Sequence, residues 1–451
     1  MTLTLQPRLR SPPPPNGADA AWNMVNQLLV LNHEKHHVYF HSVREVLMHN
    51  HLAHHALTLF SLGANAENIR SHFENHATYQ KDKGTADVFL VYTISDFTTF
   101  KRHLGDPNQY HNFLEFFRLQ FKNHGYKPAV NKLVFSGDDW STEIFSRLVT
   151  GFIHPLIQAG FGLEFDLPFL VCEGLAMGCT QNDPDVALAL LEVEECASRR
   201  PDHLSLVDIL DLCAANKKLI DCLGNDPFHL MDYQGILSDS TREQVLDYAS
   251  RYLVLEHEVE MRSAELCNAT AYILAGAQRR GKEPRADFFL LHPTNCSVIM
   301  DSIVKKDWIG RPGKARLLSW FGRYTIMLYI GMGCPQLDLT HIRNYTPRKG
   351  PGGWIDAIER SLNYRDDGHG CKIIRALIHA QNVSCGFDDR PDFRMKKDDF
   401  AKAATALVES WLPNDQVQRA GHNTTEAWIR FAGFDQAWDA VPDLLPVQEQ
   451  N

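Results

Sequence analysis

Apolar residues recur at intervals of three and four along most of this chain, the spacing that lines one side of an α-helix and that a strand cannot use. The pattern predicts helices over Trp22–Leu31, Val43–Leu62, Tyr110–Phe121, Thr142–Leu163, Val186–Ala197, Leu204–Cys222 and Thr241–Leu274. Further helices are expected over Asp287–Val304, Lys314–Tyr329, Trp354–Leu362, His369–Val383, Asp398–Leu412 and Thr424–Phe431. Ser240 with Glu243 reads as a capping box, and Gly63 and Gly125 stand where helix C-caps belong. Only Asp87–Ile94 has the β-branched and aromatic content of a strand, and one strand makes no sheet. No period of about 20 to 50 residues repeats, which excludes a solenoid. The expected fold is all-α, mainly helical with little or no sheet: one large multi-helix domain over residues 21–445, in one or two lobes, behind a Pro-rich tail at 1–20. The segment Gly331–Gly353, rich in Gly, Pro and Arg, is the candidate functional loop.

Composition narrows the function classes. The 45 basic and 55 acidic residues give a net charge of −10 with no long basic cluster, so nucleic acid is not an expected partner. The longest uncharged runs, Leu148–Leu163 and Tyr324–Leu337, fall short of the roughly 20 apolar residues a membrane span needs. Arg8 and Arg10 precede Pro12–Pro15 without an apolar core for a signal peptide. The ten cysteines lie between Cys172 and Cys385 with no C-x-x-C pair, which fits free thiols of a cytoplasmic enzyme. Histidine is the outlier at 22 residues.

Three groups of histidines carry candidate chemistry. His33-Glu34-Lys35-His36-His37 matches H-E-x-x-H, the pattern of a zinc hydrolase, although a His-rich chain meets it easily by chance. Pairs spaced i, i+4 place two imidazoles on one helix face: His51/His55 sit among Leu52, Ala53, Ala56, Leu57 and Leu59, as for a buried helix, whereas His72/His76 sit among Ser71, Glu74 and Asn75. The first pair is either a metal chelate or a hydrogen-bonded core pair. His154 and His292 are lone histidines in apolar contexts, each followed by proline, whose helix kink could aim both rings at an interior point. Lys372 follows Asp366-Asp367-Gly368-His369-Gly370-Cys371 just inside an apolar helix, where a snorkelling surface lysine is the alternative. No G-x-G-x-x-G follows a strand and no G-x-S-x-G elbow occurs, so neither a Rossmann dinucleotide site nor a serine hydrolase is indicated.

Four motifs in order, Asn50-His51-Leu52-Ala53-His54-His55, His154-Pro155-Leu156-Ile157 with Gly160-Phe161-Gly162, Asp287-Phe288-Phe289-Leu290-Leu291-His292, and Asp367-Gly368-His369 with Lys372 and Arg375, resemble the questin-oxidase-like family of fungal secondary metabolism. The resemblance spans about residues 25–435. It implies oxidative cleavage of an anthraquinone ring in polyketide biosynthesis, with the aromatic polyketide as small-molecule partner. One form is a non-heme Fe(II) dioxygenase that uses O2 as co-substrate on the reduced hydroquinone. Its iron would be held by His51, His55, His154, His292 and a CO2-derived carbamate on Lys372, with His369 and Arg375 orienting the carbamate. Imidazole and oxygen donors suit Fe(II), and a buried lysine can be neutral enough to add CO2. The alternative form is an NADPH-dependent Baeyer-Villiger-type monooxygenase, its electrons drawn from NADPH through a separate reductase. Outside both stand a zinc hydrolase and a non-catalytic helical binding protein with structural histidines.

Overall fold

The computed structural model describes residues 18–41, 47–224, 235–411, 413–414 and 428–444. Twenty-one α-helices account for most of the described residues, and the one sheet among them is a pair of three-residue antiparallel strands, Tyr39–His41 and Leu47–His49, in register Tyr39 to His49. The all-α expectation holds. No helix among the described residues is long and apolar enough to cross a membrane. The chain divides into two compact units: described residues up to Leu188 together with Ser302–Gly313, and Ala189–Asp301 together with those from Lys314 onward. The Pro-rich stretch up to residue 17 lies outside the described residues.

In the first unit the helices Ala18–Lys35, Leu52–Ser61 and Ala66–Ala77 pack together, while His154–Glu164 and Pro168–Thr180 form a tight helical hairpin. Glycine permits that closeness: a Cβ on Gly174 would stand 2.3 Å from Ala159 N, and one on Gly162 2.6 Å from Val171 N. The Tyr39 hydroxyl ties the strand pair to this hairpin by donating to the Met177 carbonyl at 2.8 Å. In the second unit the buried helix Val259–Gly276 packs on His369–Ser384, which in turn packs on Lys397–Ser410. A buried Arg262–Glu265 pair at 2.8 Å, whose carboxylate also accepts from Leu206 N at 2.7 Å, anchors the first of these.

Several expected boundaries differ, each for a local reason. Val88–Thr93 is helical rather than extended: Asp87 caps it by accepting from Phe89 N and Leu90 N, while Phe89 stays 78% exposed, with no sheet face to bury it. The run Val43–Leu62 begins as the second strand and becomes helix only at Leu52, with 42–46 outside the described residues. The run Thr142–Leu163 is two helices, Asp139–Arg147 and His154–Glu164, split by a left-handed turn. Thr241–Leu274 divides into Arg242–Ser250 and Val259–Gly276, and the N-cap of the first is Thr241, whose hydroxyl donates to the Ile236 carbonyl, so Ser240 makes no capping box. Of Thr424–Phe431, residues 424–427 lie outside the described residues, and Ile429 bridges to Asp287 instead of continuing a helix.

Candidate functional site

The two His-Pro dipeptides open helices rather than kink them. Proline is tolerated in a first turn, where its missing N–H has no intrahelical partner. His154 is the first residue of His154–Glu164 and His292 the second of Leu291–Val304. His51 is the N-cap of Leu52–Ser61, and His369 is the first residue of His369–Ser384. All four rings are buried, and burial pushes the His369 imidazolium pKa down while the Asp367 carboxylate pushes it up.

In the first unit, Asn50 sets the start of the His51 helix. Its carbonyl oxygen accepts from Leu52 N at 2.9 Å, and its amide donates to Asn32 Oδ1 at 2.9 Å and to the His37 carbonyl at 3.0 Å. His154 is reached through Gly151, Phe152 and Ile153, all at positive φ (53°, 51° and 64°), a conformation costing non-glycine residues roughly 1–2 kcal/mol each. That turn brings the Gly151 carbonyl to His154 Nδ1 at 2.8 Å. A carbonyl only accepts, so Nδ1 carries the proton and Nε2 holds the lone pair. His51 Nε2 lies 3.0 Å from His154 Nε2. Two nitrogens bound at about 2.1 Å to one ion, at right angles, would stand about that far apart. His49 stacks on His154 with centroids 4.0 Å apart, and burial pushes its imidazolium pKa down to about 4, against a hydrogen bond to Gln181 that pushes it up. Behind His51 runs a buried chain: the His54 ring donates to Gln158 Oε1 (2.5 Å), the Gln158 amide to Glu173 Oε2 (2.6 Å), and the His33 ring to Glu173 Oε1 (2.5 Å).

This chain removes the H-E-x-x-H reading. The helix carrying His33 ends at Lys35, and His37 lies beyond it, where Nδ1 accepts from Tyr39 N at 3.0 Å. The two rings therefore do not share a helix face, and His33 is engaged by Glu173. His55 is grouped with His72 and His76, whereas His51 is grouped with His154. His72 and His76 are buried, contrary to the solvated reading of their sequence context: Ile69, His72, Phe73 and His76 form the inward stripe of their helix, opposite Glu67, Arg70 and Glu74.

In the second unit, Asp287 accepts from Phe289 N (2.8 Å), Leu290 N (3.1 Å) and Ala432 N (2.8 Å), fixing both the approach to the His292 helix and the segment around Ala432. Burial pushes its carboxyl pKa up to about 6 against these donors. The His292 and His369 rings lie 5.2 Å apart at 67°, both against Phe288. Asp366 caps the His369 helix by accepting from Gly368 N (3.0 Å) and Gly370 N (2.7 Å), with Gly368 left-handed at φ 92°. His369 Nδ1 hydrogen-bonds the Asp367 carboxylate, an arrangement common behind histidines that bind a metal through Nε2. Lys372, one turn on, is buried, and burial lowers its pKa while Asp367, Cys371 and Asp366 oppose the shift. Arg375, a turn further, is half-buried. Sequence reasoning placed His369 behind the lysine and overlooked its own donor capacity, though Asp367 two residues before it was the available signal.

The sequence profile of the Questin oxidase-like family matches residues 48–377. The chain is 32% identical over 443 residues to oxidoreductase AflY of Aspergillus parasiticus, covering 93% of this chain and 88% of that one. It is 31% identical to Baeyer-Villiger oxidase ptaJ of Pestalotiopsis fici, with 93% of each covered, and 31% identical to questin oxidase of Aspergillus fumigatus, with 94% of each covered. A fold of buried helices whose starts carry buried histidines thus has near-full-length relatives among oxidases. The chain belongs to the questin oxidase-like family and is an oxidoreductase.

Proposed function

We propose that this chain oxidises an anthraquinone-type aromatic polyketide with O2, inserting one oxygen atom between a ring carbonyl carbon and its neighbour, the Baeyer-Villiger outcome. The observation that carries this reading is the naming of relatives that cover 93–94% of the chain as Baeyer-Villiger oxidase and questin oxidase. The balance is ketone, O2, NADPH and a proton giving lactone, water and NADP+. Electrons reach O2 through a separate reductase, because the chain offers no glycine-rich strand-to-helix turn for a dinucleotide.

The donor groups favour a second reading, a non-heme Fe(II) dioxygenase acting on the reduced hydroquinone, in which both oxygen atoms enter the product and no NADPH is consumed. Each unit by itself carries donors that fit iron. The first has His51 and His154, with the His154 tautomer set by Gly151. The second has His292 and His369, the latter oriented by Asp367, and Lys372, whose lowered pKa favours the neutral amine that adds CO2 to give a carbamate and a proton. His55 belongs to a different cluster from His51. Iron, when bound, would supply activation of O2, and in the second unit Phe288 packs against both His292 and His369.

Turnover under 18O2 separates the readings. One labelled atom and one NADPH per product supports the monooxygenase, whereas two labelled atoms from a pre-reduced substrate without NADPH support the dioxygenase. Iron content of His154→Gln then tests the donors of the first unit, and that of His369→Gln and Lys372→Ala those of the second: substitution in a unit that holds iron should lose it. Full activity in iron-free protein sinks the iron reading, and no turnover of either substrate form by loaded protein sinks both.

A further inference from the structure

The first unit contains a second cluster of nitrogen donors that the proposed oxidation does not use. His55, on the helix Leu52–Ser61, meets His72 and His76, which lie one turn apart on the inward stripe of Ala66–Ala77. All three are at most 3% exposed, and one ring nitrogen from each lies within 4.8 Å of the others. The rings meet edge to face, His55 to His72 at 4.8 Å between centroids and His55 to His76 at 5.3 Å. The surrounding wall is hydrocarbon: Leu52, Ala56, Leu59, Ile69 and Phe73. His76 Nδ1 is bonded to the Tyr79 hydroxyl at 2.7 Å, the kind of outer contact that fixes a ligating ring and turns its Nε2 inward.

We infer that His55, His72 and His76 form a second metal site, separate from the oxidising centre and taking a divalent transition ion of the zinc class. Three imidazoles and no carboxylate or thiolate make a donor set for zinc, copper or nickel, whereas magnesium, calcium and manganese prefer oxygen. A tetrahedral zinc site needs ligand nitrogens about 3.3 Å apart, from bonds of about 2.05 Å, and rotation of rings already within 4.8 Å supplies the closure. The site joins two consecutive helices across the short connection Leu62–Asn65, so a bound ion pins that helical pair, and its role is structural. A three-histidine set leaves the fourth position to water or another small ligand.

The test uses the full-length purified chain, stripped with a chelator and titrated with Zn(II), with bound zinc counted by mass spectrometry. The double variant His72→Gln/His76→Gln should bind one zinc equivalent fewer than the parent while keeping its iron content and turnover, and its thermal midpoint should lose one zinc-dependent rise. Tyr79→Phe keeps all three rings and should weaken zinc binding at this site about tenfold. Equal zinc stoichiometry in the parent and the double variant overturns the inference. If the double variant fails to fold by circular dichroism, unchanged zinc affinity in Tyr79→Phe overturns it instead.

Discussion

Replacing Asp287 tests how the second unit holds its histidine-bearing helix. In Asp287→Ala three buried amides, of Phe289, Leu290 and Ala432, lose their acceptor. At about 2 kcal/mol for each amide left unsatisfied, the gross loss is about 6 kcal/mol. Against this stands relief from burying the carboxylate, whose pKa rises from 3.8 to about 6. Roughly two units at 1.36 kcal/mol each return about 3 kcal/mol at pH 7, leaving a net loss of about 3 kcal/mol. Asp287→Asn behaves differently, because its carbonyl oxygen still accepts from Phe289 and Leu290 while its NH2 group faces the Ala432 N–H. One lost bond of about 2 kcal/mol nearly cancels the same relief, so global stability at pH 7 stays close to the parent, while exchange of the Ala432 amide accelerates. The pH dependence follows from the direction of the shift. A carboxyl whose folded pKa is raised contributes stability that is fully present below pH 3.8 and is lost as pH rises through about 6. Urea unfolding at pH 4 and pH 7 should therefore show about 2 kcal/mol of pH dependence in the parent that Asp287→Asn lacks. The reasoning fails if Asp287→Asn is as unstable as Asp287→Ala, or if the difference between parent and Asn variant is the same at both pH values.

Two further substitutions probe the first unit. Gly174→Ala drives a methyl into the Ala159 backbone at 2.3 Å and should cost at least about 3 kcal/mol, lowering the thermal midpoint by on the order of 10 °C. A fall under about 2 °C would show that the two helices can part freely. Gln158→Leu keeps the volume but removes the link between His54 and Glu173, leaving a buried carboxylate short of one donor. Chemical denaturation should show a loss of about 3 kcal/mol, and an unchanged midpoint would mean that the chain of bonds is dispensable.

The helices were legible where one face is apolar and the other is not: Tyr110–Phe121 became Tyr110–His124, and His369–Val383 became His369–Ser384. The breaks were hidden where the sequence is apolar all round. In Leu148–Ile157 the break was signalled only by Gly151 and Pro155, because the rest of the left-handed turn is built on Phe152 and Ile153, residues that seldom adopt it. The same gap obscured the site: read inside a helix, His-Pro means a kink, whereas at a helix start it places the ring beside backbone that can orient it. His72 and His76 were misjudged because Ser71, Glu74 and Asn75 are their neighbours in sequence but not on their face. A count at i, i+3, i+4 and i+7 from Ile69 would have found the buried stripe.

The recurrence of histidine at helix starts has a physical consequence that interior positions would not provide. A ring in mid-helix is oriented mainly by side-chain packing, and its nitrogens can trade tautomers with small changes in surroundings. At a first turn the backbone is not yet committed to intrahelical bonds, so each ring here acquires its own fixed local frame: Asn50 ahead of His51, the Gly151 carbonyl on His154, Asp287 ahead of His292, and Asp366 with Asp367 around His369. For His154 and His369 that frame takes up Nδ1 and leaves Nε2, which decides the tautomer before any ligand arrives. On His369 burial disfavours a second proton while the Asp367 carboxylate favours it, and the strained turn at Phe152 and Ile153 is the local cost of holding His154 in its place.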